Sequence, residues 1–346
     1  LLLFSSLLSA SAADTLKTRY TLDVELNPET NRAAGRVEIK WHYNGSQPLE
    51  EVSFLFDNGK REENLISSCL VNDRPADIVY CYDDEESFTG FKARIKKPLS
   101  PGTWHRITID FSSGELRDYS FLRYNYYCHR WFPHIAPLRG GKIRDIDEPG
   151  KVDVTYTLPD SMLSSPSGVI FSRSSENGCT TVHSRAEDIS SFGIFLSSEF
   201  ELETDTVHGV VIRSYYRKDD EKWGKFLLAK SGEIIDFYRK TIGFYPQPVL
   251  NILPGYDNPW GGYPIAGNSV LIHRGLDRRG EDFAEWIMAH EIGHQYWGFG
   301  CILEDTRYPR WFGLSMGIYT DRLYSDYAGL ESAHHESFRK RYLAGL

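Results

Sequence analysis

Cysteine is scarce in this sequence: five residues among 346 (Cys69, Cys81, Cys128, Cys179 and Cys301), scattered and with no C-x-x-C pair. That pattern excludes a disulfide-stapled mini-scaffold and argues against a cysteine-rich zinc site. The odd count leaves at least one thiol unpaired, and in an oxidising compartment Cys69 with Cys81 is the nearest candidate bridge. Positive charge is short as well. Thirty-nine Lys and Arg face 48 Asp and Glu, a net charge of −9 that repels phosphate backbones and anionic bilayers, so no nucleic-acid partner is expected. After the opening residues no stretch reaches about 18 consecutive apolar positions, which leaves no visible integral membrane segment. Internal repeats and low-complexity tracts are missing too, apart from a modest serine run between Ser161 and Ser175. What remains is an ordinary globular composition, 41% hydrophobic and 14% aromatic, long enough for two hydrophobic cores.

The first 13 residues, apolar and small with Ala10-Ser11-Ala12 at their end, read as the remnant of a secretory signal, so a secreted or periplasmic location is expected. From Tyr20 the period is two. Tyr20, Leu22, Val24 and Leu26 alternate with polar residues, as do Val37, Ile39, Trp41 and Tyr43, the mark of half-buried strands. Further short runs punctuated by Gly, Pro, Asn and Ser extend this pattern, so residues 14–204 are assigned to one antiparallel β-saddle or sandwich domain. Past a strand near 207–216 the period shifts to about 3.6. A helix through Trp223 and Phe237, strands at Val249–Leu253 and Ser269–Ile272, and helices over 282–297, 310–327 and from Ser332 onward place residues 205–346 in a second, mixed α/β domain. The fold class expected is α+β. The chain stops inside a helical pattern, which suggests a longer protein whose second domain is incomplete here.

The most informative residues are His290-Glu291-Ile292-Gly293-His294. On a helix, positions i and i+4 stand one above the other, so both imidazoles can meet one ion while Glu291 flanks them. Zinc accepts two neutral imidazole nitrogens and keeps an open position, which makes His290 and His294 the candidate metal ligands and Glu291 the candidate general base. The competing reading is a core helix carrying two hydrogen-bonded histidines. Phe283, Trp286, Ile287 and Trp297 give this helix an apolar face, with Gly298 as its cap.

Around this helix the sequence resembles the M1 family of zinc aminopeptidases, the gluzincins. HEIGHQYWG is the sharp part; Arg130-Trp131-Phe132-Pro133, the stretch 152–168 and TIGFYPQPVLNILPG at 241–255 are similar more diffusely. The resemblance implies an N-terminal β-saddle on a thermolysin-like catalytic domain, a Zn2+ cofactor, and a peptide substrate bound near Gly261, Gly262 and Tyr263, where the family's G-x-M-E-N strand falls. Two departures stand out. The family's third zinc ligand is a Glu on the next helix; here counting reaches Gly313 or, by aligning Trp311, Leu314, and neither binds zinc. Asp321, Glu304 and Asp305 are the nearby carboxylates, and none is assigned as ligand. Pro264 replaces the Glu that would hold a substrate's free ammonium. Two functions follow: a zinc metallopeptidase using Glu291 as base, or a non-catalytic descendant that binds peptides or serves as a scaffold.

Overall fold

A computed structural model describes residues 18–56, 65–82, 89–113, 124–128, 130–136, 138–139, 142–143, 149–259, 261–265, 267–299 and 309–330. The signal-like start, Cys301, Glu304, Asp305 and the helix expected from Ser332 lie outside these residues. The fold is mixed α+β and rich in sheet. Two compact units are formed. One gathers described residues up to 113 with 130–158 and 171–191; the other gathers 124–128, 159–170 and those from 192 onward.

The first unit is built on an eight-stranded sheet whose centre holds Thr18–Asn27, Arg32–Tyr43, Thr103–Ser112 and Gly150–Pro159. Tyr20, Leu22, Val24 and Leu26 are buried and their neighbours exposed, as the alternation requires. The sheet is not wholly antiparallel. Thr18–Asn27 pairs in parallel with Gly150–Pro159, from Arg19 opposite Lys151 to Glu25 opposite Thr157. Parallel neighbours need a long crossover, and the stretch between 27 and 150 provides one by building other strands of the unit. A second, four-stranded sheet includes Leu49–Leu55, Asp77–Tyr82 and Thr89–Leu99. Phe56 joins the two sheets, its ring 6.2 Å from Phe91 on one and 6.0 Å from Phe111 on the other. The expected Cys69–Cys81 bridge is not formed: both thiols are free, Cys69 in the large sheet and Cys81 in the small one.

The second unit centres on a five-stranded sheet ordered Phe200–Val207, Val210–Arg217, Val249–Pro254, Ser269–Ile272, Gly262–Ile265. The first two strands form a hairpin through His208 and Gly209, both at positive φ (51° and 81°), the conformation that a tight primed turn demands. Helix α1 (Glu221–Ile242) buries Leu227, Ile234, Ile235 and Tyr238 along one stripe. Helix α2 (Glu281–Gly293) departs from the amphipathic expectation: from Phe283 to Ala289 every side chain is buried, as are Glu291 and Ile292. It is a core helix, enclosed on all sides. It is also shorter than the expected 282–297, since Gln295–Phe299 widens into a π-type turn. Helix α3 (Pro309–Ala328) packs against α2. Among the described residues no helix is long and apolar enough to cross a membrane.

Candidate metal centre

Three buried side chains fix α2 before any ligand is considered. Glu285, 5% exposed, accepts a 2.6 Å hydrogen bond from the Tyr324 hydroxyl of α3 and lies 3.0 Å from the Lys230 ammonium of α1. Tyr238 donates 2.8 Å to the Ala289 carbonyl. A carboxylate buried in so apolar a helix is tolerated because both its oxygens are engaged. Sequence pattern missed Glu285; an acid inside an otherwise apolar helical run was the available signal.

One turn further, the two motif imidazoles converge. Their ring centroids are 4.7 Å apart at 86°, and the His290 and His294 Nε2 atoms approach to 3.1 Å. His290 Nδ1 lies 2.6 Å from Asp321 Oδ2, and Asp321 is 1% exposed. His294 Nδ1 lies 3.2 Å from the Trp297 carbonyl oxygen, which the widened turn brings into reach. Both partners only accept, so each ring places a proton on Nδ1 and turns Nε2 toward the other. Burial, reinforced by His290, pushes the His294 pKa down to about 4, which keeps that ring neutral at neutral pH.

At 3.1 Å the two Nε2 atoms can share one proton in a hydrogen bond when His290 is charged, or one cation when both rings are neutral. Two imidazole nitrogens on one tetrahedral zinc stand roughly 3.3 Å apart, so this pair fits the ion. Asp321 does not ligate; it orients His290 from behind, as carboxylates commonly do for metal-binding imidazoles. Among the described residues no set of three donors surrounds one point. Gly313 and Leu314 fall within α3 and offer no donor atom, while Glu304 and Asp305 lie outside the described residues. Room for His294 comes from Gly317, where a Cβ would stand 2.7 Å from His294 Cε1.

Glu291 is 4% exposed. Burial raises its pKa to about 7, with Asp321 adding to the rise while His290 and a hydrogen bond from the Gly262 N–H pull it down. Gly262 begins the edge strand Gly262–Ile265, and a Cβ there would come within 3.0 Å of Glu291 Cγ. Of the peptide-side residues expected from sequence, Gly262 therefore meets Glu291 directly, and Gly261 precedes it at a φ of 77°. Tyr263 points the other way, 54% exposed and edge-on to His273 at 5.4 Å.

No family model matches the sequence and no curated protein matches it. Solved structures do. A mutant of a two-domain M1 zinc metallopeptidase bound to L-arginine superposes with a TM-score of 0.63 at 16% identity, over 90% of this chain and 71% of that one. The M1 zinc metallopeptidase of Deinococcus radiodurans gives 0.62 at 16% identity, over 90% and 70%. A mutant of the Deinococcus enzyme bound to a Tyr-Ser-Ala substrate gives 0.60, again at 16%. The chain has the fold of these metallopeptidases.

Proposed function

We propose that the chain is a zinc-dependent peptide hydrolase in which His290 and His294 hold the ion and Glu291 moves the proton. The observation that carries this reading is the pair of Nε2 atoms facing one another at 3.1 Å, each Nδ1 being engaged elsewhere. A zinc ion held there supplies Lewis acidity and makes water acidic enough to lose a proton near neutral pH. The Glu291 carboxylate, buried beside the imidazole pair, is the acceptor for that proton and returns it to the departing amine. Asp321 keeps His290 in one tautomer and one orientation. The edge strand supplies main-chain groups for an extended peptide beside Glu291. It carries no acidic side chain, so the reading does not require a free amino terminus.

The test is incubation of the full chain, with zinc, with peptides whose amino termini are free or acetylated, followed by mass spectrometry. Cleavage is expected, abolished by chelator and by Glu291→Gln while the circular-dichroism spectrum is unchanged. Intact peptides, or equal cleavage by Glu291→Gln, would overturn it. The second reading, a peptide-binding module without catalysis, is favoured by one feature: Gly313 and Leu314 provide no donor where the family resemblance puts the third ligand. Peptide binding with no turnover would select it.

A further inference from the structure

Within the first unit a cavity of about 210 Å³ opens where the strand Thr89–Leu99 of the small sheet ends beside the strand Ile66–Val71 of the large one. That volume lies below the roughly 300–1,000 Å³ of sites for drug-sized molecules and suits an ion or a compact ester. Its floor is buried: Val71, Leu99 and His105, the last 6% exposed and in line with the buried Ile107, Ile109 and Phe111 of its strand. Asn72 Oδ1 accepts a 3.0 Å bond from the Arg106 N–H, which fixes the amide and turns its Nδ2 to His105 Nδ1 at 3.1 Å. A donor facing Nδ1 places the ring proton on Nε2, where the Ser100 carbonyl accepts it at 3.1 Å. Hydrogen bonds within the protein thus hold these walls before any ligand arrives.

Two exposed cations, Arg74 and Lys97, complete the lining. Asn72 and Asp73, at φ of 49° and 62°, make the two-residue turn that lays Arg74 opposite Val71. On the other side Glu51 pairs with Arg94 but Leu49 with Leu99, so five steps along this strand answer two on its partner. Such an irregularity re-aims side chains, and Lys97 lies within it, on the cavity. No carboxylate lines the cavity, and Asp73 of the turn is engaged by Arg106. Among the described residues neither Arg74 nor Lys97 has an ion-pair partner. A guanidinium fork and an ammonium on one cavity match a tetrahedral dianion, whereas a single carboxylate would neutralise only one of them. We propose that this cavity binds a phosphate-type dianion, free or carried on a small monoester, through bidentate bonds from Arg74 and a point charge from Lys97, with the second amide hydrogen of Asn72 as a further donor. The site goes beyond the hydrolase reading and does not rest on it. Cations that merely guard a sheet edge would take up no ion in a saturable way.

The experiment titrates the full chain with inorganic phosphate, sulfate, glycerol phosphate and acetate by isothermal titration calorimetry at constant ionic strength. Saturable binding of one phosphate per chain is expected, with sulfate similar and acetate weaker by about tenfold or more. Arg74→Gln and Lys97→Gln, both at exposed positions, are each expected to weaken phosphate about tenfold or more at an unchanged circular-dichroism spectrum, and Arg74→Lys, which keeps the charge without the fork, to recover only part of the loss. Glycerol phosphate bound at least as tightly as inorganic phosphate identifies an ester as the ligand; weaker binding identifies the free ion. No saturable binding of any dianion up to about 10 mM overturns the inference. So does phosphate binding that both glutamine variants retain in full, which would place the ion elsewhere, on a bound metal included.

Discussion

Two carboxyl groups in this chain carry the same chemistry and are driven in opposite directions by their surroundings. Glu291 is enclosed in the core, and burial outweighs the pull of His290, so its pKa rises to about 7. For Asp153 burial also pushes upward, but hydrogen bonds from His183 at 2.5 Å and Arg185 at 2.6 Å outweigh it and hold the carboxyl below its ordinary value. The folded-state pKa of Asp153 thus lies below the unfolded value of about 3.9. Its contribution to stability is fully present above that value and is lost as pH falls through the folded one. The pair is partly exposed, so the effect is modest. Asp153→Asn is expected to lower the thermal midpoint by about 2–4 °C at pH 7 and by clearly less at pH 3, read by scanning calorimetry. An equal drop at both pH values would place the effect in packing instead of charge. The i, i+4 histidines and the flanking acid were legible residue by residue, because helical spacing alone sets their alignment. The role of Asp321 was not, since its 2.6 Å bond to His290 joins residues 31 apart in sequence.

At the scale of elements, period-two alternation located the strands and 3.6-residue spacing located the helices, yet neither reports pairing direction. That is why the parallel neighbours Thr18–Asn27 and Gly150–Pro159 gave no sign of themselves in the sequence. The hairpin strand Phe200–Val207 was hard to recognise for another reason: it is mostly exposed, and only Phe200, Leu202 and Val207 in it are apolar. The end of α2 was misplaced because Tyr296 and Trp297 continue the apolar pattern through the turn that widens at Gln295. Close approach of α2 and α3 rests on Gly317, whose missing side chain admits the His294 ring. Gly317→Ala puts a methyl 2.7 Å from His294 Cε1, so the ring must rotate or the helices must part. Zinc affinity is expected to fall about tenfold or more, measured by competition with a chromophoric chelator, with helix content preserved. Affinity equal to the parent's would mean that α3 does not position that ring.

For the whole molecule, composition and charge excluded more than they identified. The α+β class and the presence of two units follow from the change of period along the chain, whereas the way residues 159–170 join the second unit depends on contacts far apart in sequence. Gly168 donates its N–H to Asn268 Oδ1 at 3.2 Å, and Asn251 donates 2.8 Å to the Pro166 carbonyl; nothing local in the Ser-rich stretch 161–175 announces either bond. The fold and the imidazole pair together make a metal centre the central claim. Its most direct test is zinc content after dialysis of the full chain, by mass spectrometry of the metal, in the parent protein and in His290→Ala and His294→Ala. About one zinc per chain is expected in the parent, and close to none in either variant at unchanged secondary structure. A parent chain that retains no zinc from a micromolar solution, or variants that retain as much as the parent, would contradict a shared ion between the two Nε2 atoms.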